Sequence, residues 1–268
     1  MHLASIVSYP VKSLGGHVLQ TATVEARGIA GDRRWMVIDE RGRFVTRREV
    51  PAMAKLQVQP THEGLTIASA AGECRAARPD ENAPAVVATI WRDSVLVQVG
   101  NEEAYAFLSH ELASPVRLAY QPDTSIRAVD ARFSDPRDHV SLADGFPLLI
   151  TTEASLRALN DQLTVPVPME RFRANLVIGG THPWDEDRWR RVRIGDVTLE
   201  VASPCTRCVI TTQQPDTGER LEGNEPLPTL RAMGRYIQSG TIFGQNAIAR
   251  SEGDVNVGDD FEVLEATV

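Results

Sequence analysis

Residues 192–212 read VRIGDVTLEVASPCTRCVITT. Short apolar runs rich in Val, Ile and Thr are the mark of strands, not helices. Three are expected here: Val192–Ile194, Val197–Ala202 and Cys208–Thr212. Pro204 is expected to end the second, since proline cannot donate to a sheet ladder. Both thiols, Cys205 and Cys208, then sit on a tight connection between strands.

The flanking chain reads the same way. Upstream lie the apolar run Phe146–Ile150, a helix from Thr152 to about Leu163, and a strand Asn175–Ile178; downstream lie a short helix Pro228–Tyr236 and a closing strand over 257–264. The first hundred residues are mostly strands: Leu3–Tyr9, a hairpin of Trp35–Ile38 and Arg43–Thr46 with Gly42 in its turn, Lys55–Val58 and Val95–Val99. One amphipathic helix follows, with Asn101 as its cap and Ala104, Phe107, Leu108 and Leu112 on its apolar side. Residues 120–146 show little period. The division expected is 1–119, a β-rich domain, and 120–268, a β-barrel-like domain with peripheral helices. The fold class is mainly β with some α (α+β), not a doubly wound parallel sheet.

Composition narrows the function. The 268 residues are 42% hydrophobic and carry a net charge of −8, so nothing favours nucleic acid, which needs clustered positive charge. No run approaches the ~20 apolar residues of a membrane span, and the first residues lack the basic region of a signal peptide. Three cysteines, Cys74, Cys205 and Cys208, do not make a secreted disulfide framework; a reduced, cytoplasmic setting is expected. Of 28 basic side chains, two are lysines, Lys12 and Lys55.

The pair Cys205-Thr-Arg-Cys208 admits four readings. A structural zinc site needs four ligands, and no second pair has ligand spacing. A thioredoxin-like pair wants a helix N-terminus inside a βαβ unit, and β-branched residues follow Cys208. Buried inert cysteines are the third reading. The fourth is a thiolate ligand to a soft metal centre, with Arg207 beside Cys208 favouring the thiolate. Three further stretches could hold an anion. Tyr9-Pro-Val-Lys12-Ser13-Leu-Gly-Gly16 offers an ammonium, a hydroxyl and backbone N–H groups in a turn. In Arg171-Phe-Arg173-Ala-Asn175, Arg173 and Asn175 would share a face of an extended chain. Arg33 in Gly31-Asp32-Arg33-Arg34-Trp35 is either a phosphate clamp or half of a surface ion pair with Asp32. Each stretch has a plain alternative as solvated surface.

Taken in order, YPVKS (9–13), GDRRW (31–35), ADGFP (143–147), TEASL (152–156), FRANLVI (172–178), CTRC (205–208), PDTG (215–218) and FGQN (243–246) resemble the MOSC proteins with an N-terminal β domain, the family of the mitochondrial amidoxime-reducing components and their bacterial YcbX-type relatives. The resemblance covers nearly the whole chain. It implies a MOSC N-terminal domain over 1–119 and a MOSC domain over 120–268. It implies a molybdenum cofactor, Mo-molybdopterin, with Cys208 as the metal ligand and catalytic centre. The implied cofactor contacts are Lys12, Ser13, Arg33, Asp144, Gly145, Arg173, Asn175, Thr206 and Arg207. The implied reaction is reduction of small N-hydroxylated compounds, N–OH to N–H. No cysteine follows Cys208, so a four-thiolate iron–sulfur cluster is not expected. Electrons are expected from a separate ferredoxin- or cytochrome-type protein. Two other roles stay open: a sulfur carrier using a cysteine persulfide, and pyridoxal phosphate binding through Lys12.

Overall fold

Along the strand Val197–Thr206, Val197, Leu199 and Val201 point inward while Thr198, Glu200 and Ala202 are half-exposed. This two-residue period lets one face of a strand enter a core. The computed structural model describes residues 1–268 except Glu81, Leu221 and Val268. It places that strand within a nine-stranded sheet in the order His17–Leu19, His2–Ser8, Leu176–Gly179, Leu148–Thr152, Gly240–Ala249, Val197–Thr206, Trp189–Ile194, Phe261–Ala266, with Tyr236–Ile237 added beside Gly240–Ala249. Most pairings are antiparallel. Leu148–Thr152 and Leu176–Gly179 run parallel, and the helix Glu153–Asn160, capped by Thr152, lies in the connection between them.

The two ends of this sheet meet. His2 bridges Asp260, and the Leu3 and Phe261 amides donate to the Asp259 and Met1 carbonyls. The closed layer surrounds a core of Leu3, Ile6, Ile150, Leu176, Val192, Leu199, Ala247 and Phe261.

A five-stranded sheet, Ala85–Ile90, Asp93–Val99, Val116–Tyr120, Trp35–Asp39, Phe44–Val45, forms the second body. Trp35 and Val37 face a core shared with Met53, Ile67, Cys74 and Leu108. Met36 and Ile38 face another with Ile90, Val97 and Leu142. The helix Glu102–Glu111 carries Asn101 as its cap, accepting from the Ala104 amide. No described helix is long and apolar enough to cross a membrane.

The two halves are interleaved. Strand His2–Ser8 pairs with Leu176–Gly179, and Thr21–Glu25 pairs with Gly253–Asn256. A division at 119/120 therefore cuts the sequence but not the barrel.

Four local expectations are corrected. Pro204 does not end its strand, which runs on to Thr206; the register shifts between Pro204 and Thr206, and an irregularity tolerates the missing proline donor. Residues after Cys208 are not a strand but the 3₁₀ turn Val209–Thr212, which Cys208 precedes as its cap. The Thr211 and Thr212 hydroxyls bond back to the Cys208 and Val209 carbonyls, a local competition that sequence period does not reveal. Arg173 and Asn175 do not share a strand face: Arg173 closes the 3₁₀ turn Met169–Phe172 at φ 53°, and the strand starts at Leu176. The helix read over 228–236 is Leu227–Ala232, and Tyr236 belongs to a strand.

Candidate functional site

Four loops converge at one end of the barrel. The first follows strand His2–Ser8. Tyr9 donates its amide to Asp32 Oδ1 at 2.7 Å, and the Lys12 amide donates to the Trp35 carbonyl. The turn so pinned holds Ser13 at φ 69°. The second is residues 141–147. The Arg127 guanidinium, buried, donates to the carbonyls of Ser141, Ala143 and Asp144, which fixes Asp144 and Gly145. The third is the Arg173 turn. The fourth carries Cys205 to Cys208.

Together they line one cleft, which includes Lys12, Ser13, Arg33, Asp144, Gly145, Arg173, Asn175, Arg207 and Cys208. Nine of the ten positions expected from sequence thus meet, though they span 197 positions of chain from Lys12 to Cys208 (208 − 12 + 1). Thr206 does not: it is exposed and pairs with Ile242 across the sheet.

The charges decide what the cleft can hold. Lys12 Nζ donates to the Leu142 carbonyl at 2.9 Å and to Asp144 Oδ1 at 2.5 Å. Burial lowers the Lys12 pKa against the pull of Asp144. The ammonium is spent on these partners, and nothing in the geometry favours pyridoxal phosphate there. Burial would raise the Asp144 carboxyl, but Lys12 and Arg48 hold it far below the usual carboxylate range. Arg33 pairs with Asp32 at 2.5 Å. Asp32 is buried, so this is an internal pair, not the surface pair that was the alternative. Arg33 also donates to Asn175 Oδ1 and to the Arg173 carbonyl.

Arg33 and Arg173 flank the Tyr9 ring, their guanidinium carbons 4.4 and 4.2 Å from its centroid. Burial, and then the neighbouring Arg33, lower the Arg173 pKa to about 9. Its Nη1 donates to the Leu14 carbonyl at 2.7 Å. Among the described residues neither Arg173 nor Arg207 forms an ion pair with a carboxylate, and Arg207 Nε is buried without a partner. Five cations therefore meet Asp144 and Asp32 in a chain whose net charge is −8. Buried charge without a counter-ion is costly, so an anionic ligand with oxygens for guanidinium forks suits this cleft.

Contacts in the cleft refine what the sequence suggests. Arg207 does not face Cys208: its Nη1 lies 2.8 Å from Cys205 Sγ. Burial pushes the Cys205 thiol up and Arg207 draws it back. The guanidinium beside Cys208 is that of Arg48, which also meets Asp144. The Asn175 side-chain oxygen accepts from Arg33 and the Leu149 amide, and its Nδ2 donates to the Val7 carbonyl; it orients Arg33. A Cβ on Gly145 would meet nothing within 4 Å, so a ligand, not the fold, would feel a side chain there.

Arg48, Phe172 and Asn246 line the cleft and were missed. Arg48 lies in Thr46-Arg-Arg-Glu49, where adjacent arginines read as a charged strand end. Nothing local separates it from Arg47. Cys74 is apart, in the second core, and burial pushes its thiol up to about 11. Among the described residues no three His, Cys, Asp or Glu side chains gather to hold a metal, so the zinc reading of Cys205 and Cys208 finds no further ligands. A metal at Cys208 would need donors from a ligand.

Comparison with known proteins gives two family models in tandem: MOSC N-terminal beta barrel domain over residues 1–115 and MOSC domain over 137–262. The mitochondrial amidoxime-reducing component 1 of Homo sapiens is 31% identical, over 98% of this chain and 82% of that protein. Component 2 of Homo sapiens is 31% identical over 86% and 71%. The molybdenum cofactor sulfurase of Oryza sativa subsp. japonica is 26% identical over 96% of this chain and 34% of that protein.

Proposed function

The chain belongs to the MOSC domain family, and on that premise we propose that it is a molybdenum-cofactor-dependent reductase of N-hydroxylated compounds. The names of its relatives support this, since they are amidoxime-reducing components and a molybdenum cofactor sulfurase. The observation that carries it is one cleft lined by the Cys208 thiol together with two arginines, Arg173 and Arg207, that lack carboxylate partners. A cofactor with a phosphate and its own sulfur donors fits that donor set.

In this reading Cys208 is the protein's ligand to the metal. Ser13, Arg33 and Arg173 receive the anionic end, with Asn175 fixing Arg33. Lys12 holds Asp144, and Arg207 engages the Cys205 thiol. When bound, the cofactor supplies the two-electron redox centre. The substrate undergoes R–NH–OH + 2e⁻ + 2H⁺ → R–NH₂ + H₂O. This chain offers no nicotinamide fingerprint, and its three cysteines are too few for a four-thiolate cluster. We therefore assign the electrons to a separate donor protein.

The test is turnover by cofactor-loaded protein. Benzamidoxime should be reduced with reduced viologen, or with a ferredoxin and its reductase, and not with NADH alone. Failure across several N-hydroxylated substrates, with a persulfide on Cys208 or Cys205, would replace this reading by sulfur carriage.

A further inference from the structure

Arg48 lines the cleft outside the set of residues assigned to the cofactor, and its surroundings are specific. Its backbone is clamped to the segment that follows Cys208. Arg47 donates through Nη2 to the Gln214 and Pro215 carbonyls, and Gln213 Nε2 donates back to the Arg47 carbonyl at 2.8 Å. The side chain is held as firmly. Its Nη2 meets Asp144 Oδ2 at 2.8 Å, and its guanidinium lies 4.8 Å from the centre of the Trp91 ring.

Trp91 is itself costly. It is 49% exposed and sits at φ 55°, a region that bulky residues rarely occupy without a demand from their surroundings. Its indole N–H reaches Asp144 Oδ1 at 3.3 Å, and its ring packs on Phe44. Trp91 and Asp144 thus fix the Arg48 head, which remains 20% exposed where it lines the cleft beside Cys208.

We propose that Arg48 contacts substrate: held beside the Cys208 sulfur by Asp144 and Trp91, it donates hydrogen bonds to the oxygen of the substrate's N–OH group. The inference rests on the reductase reading and names the part of the substrate that this residue recognises. Electrostatics separate Arg48 from the cofactor cradle. It pairs with Asp144, which it shares with Lys12, whereas Arg173 and Arg207 lack a carboxylate and suit a fixed anion. A guanidinium whose charge is partly offset suits a neutral, oxygen-bearing substrate.

The chemistry gives it a task. As the N–O bond breaks, nitrogen takes up two electrons from the external donor and one proton from solvent. Oxygen leaves with its own hydrogen and a second solvent proton, as water. Negative charge gathers on that oxygen during cleavage, and a fixed donor aimed at it favours the transition state over the ground state. Arg48 remains charged throughout and supplies no proton.

The experiment compares the cofactor-loaded full chain with Arg48→Gln and Arg48→Lys. Three things are measured: bound molybdenum with the absorption spectrum, the Kd of benzamidoxime against that of benzamidine, and kcat and KM with reduced viologen. Metal content and spectrum should be unchanged. Arg48→Gln should lose about 100-fold in kcat/KM, the scale of one transition-state donor. Its benzamidoxime binding should weaken while binding of benzamidine, a cation without the oxygen, should not, and Arg48→Lys should recover part of the lost kcat/KM and benzamidoxime binding. Metal loss in step with activity would make Arg48 part of the cofactor cradle and overturn the proposal. So would equal weakening of both ligands, or no change. If the wild type prefers benzamidoxime through Arg48 but does not turn it over, the inference stands and the reductase reading falls. If it binds no benzamidoxime, both fall.

Discussion

The two cysteines of CTRC differ by what touches them. Cys205 is held by Arg207 at 2.8 Å, while Cys208 opens the 3₁₀ turn and faces the cleft with Arg48. In protein from a host that makes the cofactor, Cys208→Ala should bring bound molybdenum to background, and Cys205→Ala should keep most of it. Equal loss in the two variants, by metal analysis, would mean a two-cysteine site. A second residue-scale prediction concerns Glu186. Its carboxylate is fully buried, accepts from Ser155 and Thr152, and leaves Oε1 without a partner. Burial raises its pKa from 4.5 to about 6. A raised acid binds its proton more tightly when folded, so its contribution to stability is complete below pH 4.5 and is lost as pH rises through about 6. The loss amounts to about 2 kcal/mol. Urea denaturation of wild type and Glu186→Gln should show the variant gaining by that amount, relative to wild type, between pH 4.5 and 7. A constant difference across this range would remove Glu186 from the pH dependence.

At the scale of elements, the turn PDTG at 215–218 shows how a loop is fixed from outside itself. Gly218 has φ 76°, and a Cβ there would stand 2.2 Å from the Pro51 carbonyl oxygen. Only glycine fits both constraints. The loop it closes supplies the carbonyls that Arg47 binds, next to Arg48. Gly218→Ala should therefore cost about 2 kcal/mol or more, read as a lower urea midpoint at constant slope, and should weaken cofactor retention as the Arg47 clamp loosens. An unchanged midpoint would show that the loop can move aside freely. The turn was legible as PDTG, but its contact with Pro51, 167 positions away, was not.

At the scale of the molecule, the barrel needs both ends of the chain. Leu3, Ile6, Val24 and Ile29 enter the same core as Ile150, Val192 and Phe261, and His2 closes the sheet against Asp260. Residues 120–268 expressed alone should consequently lack a cooperative thermal transition, and adding residues 1–119 should restore one. A fragment that melts sharply by itself would show that the early strands only decorate a self-sufficient domain. The division near residue 119 was read from a change in sequence pattern, and pattern carries no information on which distant strand completes a sheet.

The mainly-β class, the helix capped by Asn101 and the helix beginning at Thr152 were legible in the sequence alone, because alternation and capping are local properties of a few residues. The sequence also marked most of the cleft, YPVKS and CTRC by their own chemistry and ADGFP through the family resemblance. Tertiary structure decided the rest. It gave Arg48 to Cys208 and Arg207 to Cys205, turned Asn175 into a support for Arg33, and left Thr206 outside. It also left Arg173 and Arg207 without a carboxylate, which is what makes the cleft suit an anion. Each of these depends on which side chains meet across long stretches of chain, and partners that close through space have no period and no fixed spacing in the sequence.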